Sequence, residues 1–266
     1  MEGCSINGRN RLVKFSRAIV CSPSSSIITG LTTAKLGLPD YDKVLHQHQQ
    51  YIDALKDCGL DVIILESDNN FPDSTFIEDT ALLIPACAVI TNPGAPSRKG
   101  EIVKVENELN KFYSDVEKID APGTLEAGDV MMVGSHCYIG LSQRTNEIGA
   151  LQLIGILNRH GLTGSVIKLE KVLHLKTGVS YLENNNLLVC GEFISHPDFQ
   201  KYNLIKIDED ESYAANCIWV NKKVLVPKGF AKAKNRIENA GYTTIEVDVS
   251  EFRKLDGGLS CLSLRF

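Results

Sequence analysis

The residue with the plainest chemical potential is Cys261, which stands between the Gly257-Gly258 pair and an apolar run, Leu262 to Phe266, that reads as a short strand. A thiol there would sit at a strand mouth, and the two glycines ahead of it permit positive φ and close approach of a ligand to backbone. A lone cysteine is more often a small buried hydrophobe than a nucleophile. Spacing changes that reading. Asp79, Glu126, His174, Asn216 and Cys261 follow one another at intervals of 47, 48, 42 and 45 residues. Residues at one phase of a repeat converge on one place if the repeats pack around an axis. His174 would then move protons for a thiolate or its leaving group. Glu126 would orient the imidazole and help balance a cation.

Asp73 with Glu78 and Asp79, in Phe71-PDSTFIEDT, forms the densest acidic patch that abuts an apolar strand. Three acids around a cavity make a poor home for an anion and a good one for a guanidinium, which takes planar bidentate carboxylate bonds. Glu78 and Asp79 are read inside a strand, where neighbours face opposite sides, so Glu78 takes a supporting role. Arg98 and Arg144, on loops of the second and third units, would clamp a carboxylate. The ligand then has a cationic end and an acidic end, as an arginine-like amino acid does.

The elements that must hold these residues recur five times. Residues 17–21 alternate as a strand, 22–37 form a Ser/Thr/Gly-rich loop expected to act as a mobile lid with few apolar anchors, 41–59 carry helical spacing closed by Gly59, and 61–65 form a buried strand. The second unit reads as strands 76–85 and 88–92, helix 99–113 and strand 116–119. The third has strands 129–133 and 137–141, helix 147–160 and strand 165–169. The fourth has strands 179–181 and 186–192, a weak helix 198–202 and strand 203–207. The fifth has strands 217–220 and 223–227, helix 231–240 and strand 243–247. Strand-strand-helix-strand units of this period predict an α/β fold in which five ββαβ blades close into a pseudo-symmetric propeller. The terminal run 261–266 would pair with the first unit and complete it. One catalytic domain then spans 1–266, with 1–16 as an N-terminal extension.

Composition narrows the partners. The 266 residues, 43% hydrophobic, fill a substantial core, and a net charge of −5 argues against nucleic acid or an anionic membrane. No apolar run approaches the roughly 18 residues that span a bilayer, and residues 1–15 lack the apolar stretch of a secretory signal. Eight cysteines are scattered without a Cys-x-x-Cys pair, which reads as reduced thiols in a cytoplasmic protein. His46 and His48, two apart on a helix, share no face, so no metal is expected. A homodimer stays open, because no sequence feature sets the oligomeric state.

These stretches together resemble the dimethylarginine dimethylaminohydrolases of the guanidine-modifying (pentein) superfamily. The matching motifs are Phe71-PDSTFIEDT, Asn92-PGAPSRKGE, Thr124-LEAGDV, Gly140-LSQRTNEIGA, Leu173-HLKTG, Ala214-ANCIWVN and Leu255-DGGLSCLSLRF, in order from about Ala18 onward. The resemblance implies a five-bladed α/β propeller that converts Nω-methylated arginine to citrulline and a methylamine without metal or organic cofactor. It makes Cys261 the nucleophile, His174 the general acid/base and Glu126 its partner. Asp79 would hold the guanidinium, Asp73 the amino acid end or a nitrogen, and Arg98 with Arg144 the carboxylate. Leu31 would belong to the lid, and Asp256 would join the substrate contacts. Two alternatives remain at this stage: an arginine deiminase or amidinotransferase of the same superfamily, and a propeller that binds ligand without turnover.

Overall fold

The computed structural model describes residues 14–266, so all but the last three residues of the expected N-terminal extension lie outside the described residues. The first blade contains β1 (Arg17–Cys21), α1 (Tyr41–Asp57) and β2 (Asp61–Leu65). The second contains β3 (Ala81–Ile84), β4 (Cys87–Ile90), α2 (Ile102–Leu109) and β5 (Val116–Lys118). In the third, β6 (Val130–Val133), β7 (His136–Leu141), α3 (Glu147–Arg159) and β8 (Thr163–Lys168) repeat the order. The fourth adds a one-turn α4 (Leu175–Gly178) before β9 (Val179–Tyr181), β10 (Asn186–Val189) and β11 (Asn203–Lys206), and its expected weak helix is a 3-10 turn, Pro197–Phe199. The fifth holds β12 (Ile218–Val220), β13 (Lys223–Pro227), α5 (Ala231–Asn239) and β14 (Thr243–Val247). A short α6 (Ser250–Arg253) then leads to β15 (Leu264–Arg265).

These strands form five three-stranded sheets of one design. In each, the middle strand runs antiparallel to one neighbour and parallel to the other. β15 pairs antiparallel with β1, Ala18 opposite Arg265 and Ile19 opposite Leu264, so the C-terminal strand completes the first blade as expected.

Apolar packing lies between the blades. In β1, Ala18 and Val20 face one cluster, shared with α1 and with β12 to β14, while Ile19 and Cys21 face another, shared with β3 and β4. Three further clusters fill the remaining seams. Strands buried on both faces must read as continuous apolar runs, which is why AIVC, CAVI and LLV lack strict alternation. The helices start on their sequence signals: Asp40 accepts from Lys43 N–H at the head of α1, and Asn146 from Gly149 N–H at the head of α3. The seams fix the blades, and the polar residues that precede each first strand are left to face the axis.

Candidate active site

Short 3-10 turns at the mouths of the first strands deliver the chemistry. Asp79 lies in the turn Ile77–Thr80, not in a strand as the sequence suggested. The strand starts only at Ala81, because Thr80 Oγ1 donates to Ile77 O at 2.7 Å and Thr91 Oγ1 donates to Asp79 O at 2.7 Å, which closes the turn. Glu126 precedes the turn Ala127–Asp129, His174 precedes α4, and Cys261 lies in the turn Ser260–Leu262. Asn216, the remaining member of the series, works on backbone: it accepts from Ser260 N–H at 2.9 Å and donates to Lys176 O at 3.1 Å, tying the cysteine turn to α4.

Gly257 and Gly258 serve close approach. Neither adopts positive φ; Asp256 does, at 58°. A Cβ on Gly257 would stand 2.2 Å from the Phe76 ring, and one on Gly258 2.6 Å from the Asn216 side chain. Gly128 is equally constrained, since a Cβ there would meet Asp79 Oδ1 at 2.7 Å and the His174 ring at 3.2 Å.

Of the eleven residues singled out from sequence, all except Glu78 and Asn216 line one cavity of about 150 Å³. Glu78 turns away to Lys176, 2.7 Å, and Arg265, 3.5 Å. Within the cavity His174 sits between two carboxylates, with Nε2 3.4 Å from Glu126 Oε2 and Nδ1 3.2 Å from Asp129 Oδ1 in a geometry too bent for a well-formed hydrogen bond. Burial disfavours the imidazolium, but Asp129, Asp79 and Glu126 outweigh it and raise the His174 pKa to about 9. Burial also opposes the Asp79 carboxylate, and Arg98 with His174 nevertheless hold it below the ordinary carboxylate range. Glu126 is pushed up by burial and by Asp79, while its Oε1 accepts from Gly94 N–H at 3.1 Å. Burial, with Glu78 and Asp79, pushes the Cys261 thiol up to about 12. The resting pair is thus a thiol and an imidazolium in one cavity.

Asp129 is the residue that sequence reasoning missed. It is fully buried, Oδ2 accepts from the Ser142 and Thr145 hydroxyls at 2.6 and 2.7 Å, and Oδ1 accepts from Leu175 N–H at 3.1 Å. The available signal was a second acid three residues after Glu126 in a Gly-containing turn.

Arg98 requires a correction. It was expected to share a substrate carboxylate with Arg144, yet its Nε and Nη2 donate to Glu101, its Nη1 to Asp79 at 2.6 Å and its Nη2 also to Phe76 O at 2.9 Å. Every nitrogen is engaged, so Arg98 fixes Asp79. Arg144 Nη1 approaches Glu126 Oε1 only at 3.9 Å and the side chain keeps some exposure, so it is the arginine with donors free for a ligand.

The lid is better anchored than its sequence implied. Ser25–Thr29 forms a 3-10 turn whose Ile27 is buried in the seam between the first and fifth blades. Beyond it, Leu31 N–H donates to Asp73 Oδ1 at 3.0 Å, and Thr33 N–H and Oγ1 donate to Asp256 Oδ2 at 2.5 and 3.0 Å. Both acids therefore hold the lid as well as line the cavity.

Oxygens of Asp79 and Glu126 and a nitrogen of His174 lie within 4.8 Å of one another, a spacing a metal ion accepts. Arg98 already stands 2.6 Å from Asp79, and Arg98 and Arg144 each stand 3.9 Å from Glu126. With those cations in place, the set suits a diffuse organic cation better than a compact dication.

Comparison with known proteins agrees with this fold. A family model described as N,N dimethylarginine dimethylhydrolase, eukaryotic, matches residues 39–263. The N(G),N(G)-dimethylarginine dimethylaminohydrolase of Pseudomonas aeruginosa is 56% identical over 253 residues, covering 95% of this chain and 100% of that protein. A solved structure of the Pseudomonas aeruginosa protein, a cysteine-to-serine variant complexed with citrulline, matches with a TM-score of 0.95 at 56% identity, over 96% of this chain and 100% of that one. Another, a dimethylarginine dimethylaminohydrolase adduct with S-methyl-L-thiocitrulline, matches with a TM-score of 0.94 at 56% identity, over 95% and 100%. With the five-bladed fold and a family model that spans most of its length, the chain belongs to the dimethylarginine dimethylaminohydrolase family.

Proposed function

We propose that this chain hydrolyses Nω-methylated L-arginine to L-citrulline and methylamine or dimethylamine through a covalent adduct on Cys261. The observation that carries the reading is the meeting of Cys261, His174, Asp79 and Glu126 in one small cavity whose carboxylates outnumber its cations. A relative of this family binds citrulline, and a thiocitrulline forms an adduct with another, as this chemistry requires.

The guanidinium docks against Asp79 and Glu126, and Arg144 receives the carboxylate. A thiol held near 12 is a poor nucleophile, and an arriving cation favours the thiolate, so the proton leaves to solvent as substrate binds. Cys261 Sγ forms a bond to the guanidinium carbon and the C=N electron pair moves onto nitrogen. His174, charged because its pKa is about 9, gives its proton to the methylated nitrogen as the C–N bond breaks, since an amide anion does not leave. The S-alkylthiouronium that results meets a water, which neutral His174 deprotonates. Hydroxide adds, and collapse expels the Cys261 thiolate and leaves the urea of citrulline. Asp129 keeps the imidazole in place during both transfers. The scattered thiols, unpaired among the described residues, fit a reducing cytoplasmic setting.

The test is a product assay with asymmetric dimethylarginine, monomethylarginine and arginine as separate substrates. Methylamine or dimethylamine with equal citrulline is the expected result. Faster ammonia release from free arginine would replace the reading with a deiminase, and no turnover at all would leave a binding propeller.

A further inference from the structure

Away from the active site, one other group of metal-ligating side chains comes together among the described residues, at the seam between the second and third blades. Cys87 opens β4, which pairs in parallel with β5 so that Val89 lies opposite Glu117. Strand alternation therefore turns Cys87, Val89, Asp115 and Glu117 to one face. Cys87 and Val89 pack there in one apolar cluster with Leu153, Ile156 and Leu157 of α3, and the C-cap of α3 is His160. Cys87 Sγ, an oxygen from each carboxylate and a ring nitrogen of His160 all lie within 4.8 Å of one another.

His160 Nε2 stands 3.0 Å from Glu117 Oε1 and 3.7 Å from Asp115 Oδ2. A ring nitrogen carries at most one hydrogen, yet two carboxylate oxygens stand within 3.7 Å of it, with the Cys87 thiol in the same group. A surface ion-pair network accounts for Asp115, Glu117, His160 and the neighbouring Arg159, but it gives no part to the buried Cys87, whose thiol donates only to Ala88 O at 3.3 Å. Arg159 makes its shortest contact to Glu117 Oε2 and only a 3.4 Å contact to Oε1, which leaves Oε1 turned toward the cluster.

We infer that Cys87, Asp115, Glu117 and His160 form a tetrahedral site for a zinc-like divalent ion that braces the second blade against the third. One thiolate, one imidazole and two carboxylates make a borderline donor set, which suits Zn²⁺ or Co²⁺ and not Mg²⁺ or Ca²⁺, whose ligands are oxygen. Zn–N and Zn–S bonds of about 2.0 and 2.3 Å put tetrahedral ligands roughly 3.3 to 3.8 Å apart. A separation at the 4.8 Å limit would therefore close by about 1 Å, through the exposed side chain of Asp115 and the half-buried one of Glu117. On binding, Cys87 gives its proton to solvent, and His160 offers the Nε2 lone pair with its proton on Nδ1. The three negative ligands, the dication and Arg159 then sum to neutrality, with Arg159 fixing a ligating carboxylate from outside. No local motif announces the site, because its ligands come from three separate stretches of chain.

The experiment uses the full chain carrying Cys261→Ser, which removes the active-site sulfur. Titration with Co²⁺ should give one tightly held ion per chain, tetrahedral visible bands and a thiolate-to-cobalt charge-transfer band. Zn²⁺ should displace it and raise Tm. Adding Cys87→Ser should abolish the charge-transfer band. Because Cys87 is a core residue, the part-exposed positions supply the control: adding His160→Gln should weaken binding on the order of a hundredfold, and adding Asp115→Asn about tenfold. An octahedral spectrum without the sulfur band, binding only at millimolar metal, or an affinity unchanged by His160→Gln would each overturn the site.

Discussion

Glu78 and Asp79 are consecutive and equally buried, at 4% exposure each, yet they face two different cavities. Asp79 meets Arg98 and the Gly128 N–H in the cavity that holds Cys261 and His174. Glu78 meets Lys176, which follows His174 by two residues, and Arg265, from β15 of the first blade, beside a second cavity of about 190 Å³. On the Asp79 side the chain gathers Asp73, Asp79, Glu126 and Asp129 against Arg98, Arg144 and His174. On the Glu78 side two cations converge on one carboxylate. The difference teaches which charges can act on a ligand. An acidic surplus calls for a cation from outside, whereas a carboxylate matched by the protein's own lysine and arginine ties three blades together.

That contrast can be broken at its strongest point first. Asp79→Asn preserves size and removes the charge that keeps the reacting carbon cationic, so kcat should fall on the order of a thousandfold while unfolding stays cooperative. Steady-state kinetics with dimethylarginine decide it, and a kcat within tenfold of the parent would contradict the assignment. Glu78→Gln should behave in the opposite way. It leaves Lys176 and Arg265 without their counter-charge, which should cost about 2 to 3 kcal/mol in denaturant unfolding, with kcat held within about tenfold. Because Glu78 helps to push the Cys261 thiol up, the thiol of this variant should also ionise at lower pH. An Asp79-like loss of kcat would dissolve the division between the two sides.

Arg144→Ala probes the carboxylate end of the same cavity. Its bond to substrate is made about equally in ground and transition states, so KM should rise about tenfold for each 1.4 kcal/mol lost, with kcat nearly unchanged. Agmatine, which lacks the carboxylate, should be a poor substrate of the parent and insensitive to this change. The smallest effect separates His48 from His174. Burial against Phe252 lowers His48 to about 4, with Nε2 unpartnered, whereas His174 is raised to about 9. The unfolded chain protonates His48 near 6.5, so that stability is full above 6.5 and declines as pH falls toward 4, by roughly 1 kcal/mol over the first unit. For His174 the contribution is full below 6.5 and is lost as pH rises through 9. Unfolding of His48→Leu across pH should lose the acid limb and keep the alkaline one.

Much of the frame was legible in sequence, because strands buried on two faces leave apolar runs and a repeated unit leaves a period. Strands 17–21, 61–65, 179–181, 223–227 and 243–247 match residue for residue, and the closure of β15 onto β1 follows from the same grammar. The turns that carry the acids were not legible, since three residues hold no periodicity. Asp79 was therefore placed in a strand, although the inference that Glu78 faces elsewhere survives on different geometry. Arg98 was misplaced because a long side chain on a loop can point several ways, and the acid that claims it, Glu101, stands only three residues on. The Gly257-Gly258 pair was read for positive φ and for close approach of a ligand to backbone, but the ring of Phe76 and the amide of Asn216 are what exclude a side chain there.

The central claim is that Cys261 bonds to the guanidinium carbon. Turnover with dimethylarginine quenched in acid within milliseconds, followed by peptide mass spectrometry, should find the thiouronium adduct on the Cys261 peptide and on no other cysteine. Cys261→Ser should show neither adduct nor amine release while keeping its fold. Amine release at the parent rate from Cys261→Ser, or an adduct on a different cysteine, would contradict the account.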